Sequence, residues 1–117
     1  MTIAKINKTI DELKRHPQKG SIIVFEVEKV IVGYAIIIYF WSNEYGGSFA
    51  NIDELYVKPD YRDKGIGSHF LNSIGDSKKR GIVALQLETT PTNKRALEYY
   101  IRLGFQFSAN KQLLKKL

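Results

Sequence analysis

Ile52-Asp53-Glu54-Leu55-Tyr56-Val57-Lys58-Pro59-Asp60-Tyr61-Arg62-Asp63-Lys64-Gly65-Ile66-Gly67 runs from a strand through a basic, glycine-containing turn into a helix. β-Branched and aromatic residues predict a strand over Phe49 to Val57, and Pro59, which lacks the N–H for a ladder bond, stops it. Ile66, Phe70, Leu71 and Ile74 recur at helical spacing, so a helix begins around Gly65 and the turn Arg62 to Gly67 lies at its N-terminus. The free amides at such an end carry the positive pole of the helix dipole and form an anion-binding concavity. Gly65 and Gly67 let an anion approach the main chain with no Cβ in the way. Arg62 and Lys64 add full charges, and the combination is suited to a pyrophosphate.

Two other phosphate motifs fit worse. A dinucleotide fingerprint needs a third glycine where Phe70 stands and an acidic residue at the end of the next strand. A P-loop needs Gly-Lys-Ser/Thr, which does not occur. A bare Gly-x-Gly is also a common simple turn, so further context is required.

That context comes from Leu85 to Phe105, Leu-Gln-Leu-Glu-Thr-Thr-Pro-Thr-Asn-Lys-Arg-Ala-Leu-Glu-Tyr-Tyr-Ile-Arg-Leu-Gly-Phe. Ile82 to Leu87 has strand length, Pro91 breaks it, Thr92 or Asn93 can cap a helix, and Gly104 stands where a helix C-terminal glycine is expected. Asn93, Ala96, Leu97, Tyr100 and Gly104 fall on one side of that helix. Tyr99 lies about 100° round it and is expected to be packing or surface.

The turn, Arg-x-x-Gly-x-Gly after Leu-Tyr-Val-x-Pro, resembles the acyl-CoA signature of the GNAT superfamily of N-acetyltransferases. The second stretch resembles that family's Asn-x-x-Ala-x-x-x-Tyr-x-x-x-Gly-Phe pattern without a gap. The resemblance implies acetyl-CoA as acyl donor, a primary amine as acceptor and direct transfer between them. It also implies a bulge in the motif strand, so that the backbone of Leu55, Tyr56 and Val57 pairs with the pantetheine amides. Arg62, Asp63, Lys64, Gly65, Ile66, Gly67 and Ser68 would surround the diphosphate. Asn93 would bond the pantetheine arm, and Tyr100 would stand near the sulfur as general acid. The alternative class is an acyl-CoA-binding sensor or partner subunit without turnover.

Attack by an amine whose ordinary pKa is near ~10.4 requires a proton acceptor, and the expelled thiolate requires a donor. Glu88, which ends the strand before the Tyr100 helix, is the first candidate base; family members that acetylate ribosomal-protein N-termini place a glutamate there. Glu54 is the second, and ordered water the third. Strand alternation sends Asp53 and Glu54 to opposite faces, so at most one looks into the cleft. The oxyanion is served by a backbone N–H near Tyr56 or Val57.

With 117 residues, 44% of them hydrophobic, the chain is expected to bury one core as a single domain, residues 1–117. It has no cysteine, which removes disulfides, thiolate metal sites and a covalent Cys-acyl route. His16 and His69 have no nearby ligand set, so no metal is expected. Val30 to Trp41 is too short to span a bilayer, and a cytoplasmic location without membrane contact follows by default. The net charge of +6 is scattered apart from Lys78-Lys79-Arg80 and Lys115-Lys116. Polyanionic CoA accounts for part of it, so nucleic acid is not the expected partner.

Towards the N-terminus, apolar residues at 3, 6, 10 and 13 predict an amphipathic helix over Ile3 to Arg15, ended by His16-Pro17. Ser21 to Glu28 and Val30 to Trp41 read as a hairpin whose second, continuously apolar strand suits a sheet position covered on both faces. A polar loop, Ser42 to Ser48, leads to the motif strand. The implied fold is α/β (α+β): a GNAT fold with a mixed, mostly antiparallel central sheet flanked by helices, lacking the family's usual first strand and helix. Trimming, a naturally short product or a partner subunit would each account for that difference. The aromatic run Tyr39 to Tyr45 is a candidate amine-pocket lining, with hairpin-edge packing as the alternative. The acceptor stays open among polyamine, aminoglycoside, amino acid and peptide N-terminus, and a homodimer is also left open.

Overall fold

The structure, a computed structural model, describes residues 2–75 and 81–117; the basic run at 78–80 lies outside the described residues. Helix α1 (Ile3–Arg15) precedes strands β1 (Gly20–Val27), β2 (Val30–Ser42) and β3 (Gly47–Val57), then α2 (Ile66–Gly75), β4 (Ile82–Leu87) and α3 (Lys94–Arg102). The four strands form one sheet in the order β1-β2-β3-β4. The first two pairings are antiparallel and β3–β4 is parallel, so the mixed, mostly antiparallel sheet holds. Among the described residues, a single helix precedes its first strand.

Helix α1 starts where Thr2 accepts from the Lys5 amide at 3.2 Å, an N-cap that satisfies one otherwise free donor. It stops before Pro17, whose ring cannot continue a helix. Its apolar stripe is less covered than the sequence predicts. Leu13 is buried while Ile3 is 78% exposed, because α1 meets the sheet through its last turn. There Gly20 leaves just enough room: a Cβ would lie 3.0 Å from Leu13 Cδ2 and 2.3 Å from the Ile37 carbonyl oxygen.

The β1–β2 hairpin closes through Glu28 and Lys29, both at positive φ (50° and 67°), between the paired residues Val27 and Val30. Two left-handed residues match the right-handed twist of the strands, although neither is glycine or asparagine. Strand β2 occupies an interior position, but its two faces differ. Val32, Ala35 and Ile37 are buried among Phe25, Ala50, Ile52, Phe70, Leu71 and Ile74, whereas Tyr34, Phe40 and Trp41 are exposed. The expectation of cover on both faces therefore fails along much of the strand. The continuous apolar run records one packed face, to which the other contributes only Ile36 as a buried residue.

The register explains how β3 serves the site. Ile52 pairs with Ile37 and Glu54 with Ile36, which leaves Asp53 as a bulge with no opposite residue. Leu55 and Val57 then pack on the same core as Ala50 and Ile52. Strict alternation would have turned them away; the bulge that the resemblance implies for this strand falls at Asp53 and resets the faces.

Candidate functional site

β3 and β4 part immediately after this bulge's first flank. Their parallel pairing ends at Ile52↔Leu87, while β3 runs on to Val57. From Asp53 onward β3 thus has its β4-facing edge free of strand pairing. Such an edge presents unpaired N–H and C=O groups to any extended amide chain. Leu55, Tyr56 and Val57 lie on it. Glu88 directly follows the last paired residue of β4, and Asp53 and Glu54 directly follow that of β3, so carboxylates from both limbs stand where the strands fork.

The chain leaves this edge for the basic turn. Arg62 folds back, its Nε donating to the Val57 carbonyl at 2.8 Å, and its guanidinium lies 5.7 Å from the centroid of the Tyr56 ring. Lys64 Nζ sits 5.5 Å from the Tyr61 ring centroid. Both cations therefore rest on aromatic faces beside the turn. Asp63 (φ 60°) and Gly65 (φ 82°) are left-handed, a conformation glycine adopts without cost and aspartate tolerates. The His69 amide donates to the Gly65 carbonyl at 2.9 Å, so the amides of residues 66 to 68 form the free N-terminal end of α2. The helix starts at Ile66, one residue beyond the expected Gly65.

Helix α3 brings the tyrosines to this turn. Asn93 is its N-cap, Oδ1 accepting from the Ala96 amide at 3.2 Å, which leaves the Asn93 side-chain NH2 as a donor outside the cap. At the other end, the Phe105 amide donates to the Tyr100 carbonyl and the Gly104 amide to that of Ile101, both at 3.0 Å, with Gly104 at φ 97°. This is a Schellman closure, whose usual companion is an apolar contact between the same two ends. Here that contact is Tyr100 on Phe105, rings 5.7 Å apart and 70° inclined. The spacing Tyr-x-x-x-Gly-Phe is therefore the geometry that immobilises the Tyr100 ring.

Tyr100 is half-buried against the core. Burial pushes its phenol above the ordinary value, and neighbouring Tyr99, of like charge when ionised, adds to the shift. The phenol therefore keeps its proton throughout the neutral range. Tyr99 is the residue the sequence reading undervalued: its hydroxyl lies 2.6 Å from Ser68 Oγ in the first turn of α2. The one signal available beforehand was its i,i+4 relation to Arg95, which pairs with Asp63 at 2.7 Å.

The remaining candidates are less engaged. Glu54 lies near Tyr34, whose phenol is raised first by burial and then by this carboxylate; Tyr34 and Tyr56 are cross-strand partners with rings 5.9 Å apart. Glu88 is exposed and, among the described residues, forms no ion pair or hydrogen bond. In the loop before β3, Tyr45 packs edge-on to Phe49 with ring centroids 5.0 Å apart, in keeping with hairpin-edge packing. A groove of about 390 Å³ opens beside Lys64 and Gly65. It is lined by β1 and by another stripe of α2, including Ile66, His69 and Phe70, than the one that meets α3. No group of three or more His, Asp or Glu residues among the described ones could hold a metal, and none of their helices is long and apolar enough to cross a membrane.

A forked mixed sheet flanked by helices, whose freed strand leads into an amide-lined helix start, defines an α/β class of fold, and comparison gives it a family. The model of the acetyltransferase (GNAT) family matches residues 4–105, and the chain belongs to that family. It is 40% identical over 85 residues to an uncharacterised N-acetyltransferase of Methanocaldococcus jannaschii, covering 71% of this chain and 38% of that protein. It is 35% identical over 77 residues to the thialysine N-epsilon-acetyltransferase of Bos taurus, covering 65% and 45%. The matched stretches thus span less than half the length of these curated relatives. Among solved structures, a possible acetyltransferase from Clostridium difficile 630 superposes with a TM-score of 0.85 at 25% identity, over 100% of this chain and 78% of that one.

Proposed function

We propose that the chain carries an acetyl-CoA-dependent N-acetyltransferase site acting on a primary amine. The observation that carries the reading is the fork: β3 leaves β4 after Ile52 and delivers the chain, within one short turn, to the free amides of α2. An arm of amide groups ending in a diphosphate matches that order of edge followed by cradle.

In this reading the edge of Leu55, Tyr56 and Val57 binds the arm. Arg62, Asp63, Lys64, Gly65, Ile66, Gly67 and Ser68 surround the diphosphate, Arg62 and Lys64 supplying charge. The Asn93 amide NH2 donates to the arm while its oxygen caps α3. The bound thioester supplies an activated acyl carbon and a thiolate leaving group. Tyr100 holds a proton for that thiolate at an oxygen whose neutrality is secured by burial. A backbone N–H near Tyr56 or Val57 faces developing negative charge. Glu88 or Glu54, or water held between them at the fork, takes the proton of the incoming amine, with Glu88 the less encumbered of the two because Glu54 lies near the Tyr34 phenol.

Thermal melting with acetyl-CoA, CoA and NAD tests the donor, and thiol release across amines tests the acceptor. The relative named for thialysine places that compound and lysine first in the panel, followed by a polyamine, an aminoglycoside and a peptide N-terminus. A shift with NAD but not CoA overturns the family-based donor. CoA binding without thiol release from any amine points instead to a sensor or partner subunit.

A further inference from the structure

We propose that Tyr99 is a positioning residue for Tyr100, tying the helix that carries the proton donor to the turn that grips the acyl carrier. The inference rests on the acyltransferase reading above. The tie is the 2.6 Å hydrogen bond between Tyr99 Oη and Ser68 Oγ, and three further observations give it a direction.

First, a second polar link runs between the same elements. Arg95, one helical turn before Tyr99 and on the same face, pairs with Asp63 at 2.7 Å. Both partners are largely exposed, at 82% and 77%, so this pair adds little stability, but it orients the same stripe of α3 towards the same turn. Second, the fit is close. A Cβ on Gly67 would lie 3.3 Å from the Tyr99 hydroxyl, so the phenol occupies the space that the missing side chain leaves. Third, the Tyr99 and Tyr100 rings are in edge-to-face contact at 5.3 Å and 63°, and Tyr100 is held on its other flank by Phe105. The Tyr100 ring is thus held between a ring anchored to α2 and a ring anchored to its own helix end.

Ser68 lies in the first turn of α2, among the residues proposed to surround the diphosphate. The link therefore sets the separation between the cradle and the proton donor, which must match the length of the arm between diphosphate and sulfur. Proton transfer depends steeply on such placement, since a displacement of about 1 Å can cost on the order of 100-fold in rate.

Tyr99→Phe removes the hydroxyl and keeps the ring. In the full chain, its kcat falls roughly tenfold, while KM for acetyl-CoA and the melting shift with CoA stay within about twofold of wild type, the range expected when uniform binding is untouched. Tyr99→Phe/Tyr100→Phe is no slower than Tyr100→Phe alone, because Tyr99 acts through its neighbour. Gly67→Ala lowers kcat in the wild-type background and less so with Phe at position 99, where the hydroxyl no longer blocks the methyl. Three results overturn the proposal while leaving the acyltransferase reading intact: an unchanged kcat in Tyr99→Phe when Tyr100→Phe is slow, losses that add in the double variant, or equal loss of kcat and CoA affinity. If Tyr100→Phe is as fast as wild type, the acid role and this inference both fall.

Discussion

Tyr100 illustrates how a residue's chemistry is set by its neighbours. Removing its hydroxyl in Tyr100→Phe should lower thiol release by roughly tenfold or more and leave the CoA-induced melting shift nearly unchanged, since the ring packing on Tyr99 and Phe105 survives. Its phenol also links stability to pH. A folded-state pKa raised above the ordinary value of about 10 contributes stability that is complete below that pH and is lost as pH rises through the folded value. Denaturant titrations at alkaline pH should therefore show wild type losing stability more steeply than Tyr100→Phe; parallel curves would contradict the burial argument. Gly65 makes a purely conformational contribution. A Cβ there meets nothing within 4 Å, yet φ is +82°, so Gly65→Ala should cost about 1 kcal/mol and weaken CoA binding, with Gly65→Asn costing less. Equal stability of all three proteins would show that the turn relaxes to another conformation.

Elements join these residues into a site. The N-cap of α3 and the proposed contact with the CoA arm share one side chain, and two substitutions separate them. Asn93→Ala removes the cap and should cost about 1 kcal/mol, read by urea denaturation. Asn93→Asp retains the capping oxygen but loses the NH2 donor, so stability should hold while CoA affinity falls. Loss of stability in Asn93→Ala alone, with CoA affinity unchanged in both variants, would reduce Asn93 to a cap. The β1–β2 hairpin offers a test remote from the site. Glu28 and Lys29 adopt a turn that favours Asn-Gly, and Glu28→Asn/Lys29→Gly should raise stability by roughly 1 kcal/mol with no effect on kcat. At this scale the helix and strand positions were legible from periodicity and turn residues, with bounds shifted by a residue or two. A bulge in the motif strand was implied by the family resemblance, but its place at Asp53 was not legible, because that depends on how β2 and β3 align, and alternation within one strand carries no trace of that alignment.

As a whole, the molecule is thinly covered. Its accessible surface is 9632 Å², against about 6,500 Å² for a compact chain of this mass, and its radius of gyration is 15.1 Å, against about 13 Å. The excess is visible in the outer face of the hairpin, where Val24 and Tyr34 are exposed, and most fully after α3, where Phe107, Leu113 and Leu117 are exposed. A ligand that bridges β3, α2 and α3 should therefore matter to stability. At a hundred times its dissociation constant, CoA adds about 2.7 kcal/mol, a large part of what a domain of this size possesses. That gain should survive moderate salt, since amides and fixed dipoles carry part of the grip, whereas a nucleic-acid complex held by scattered surface lysines would dissociate steeply.

What the chain order alone determined is everything whose physics is local: the glycine-containing turn and helix start at residues 62–68, the cap at Asn93, the Schellman spacing from Tyr100 to Phe105, and through these motifs the family and its mixed sheet. The tertiary structure alone decided where the implied fork falls, after Ile52, along with the reset faces of β3, the open flank of β2, and the bond from Tyr99 to Ser68. The division has one cause. Turns and caps are completed by neighbours a few positions away and so leave their signature in contiguous residues. Register, bulges and contacts between helices balance many weak interactions among distant segments, and only the folded chain adds them up.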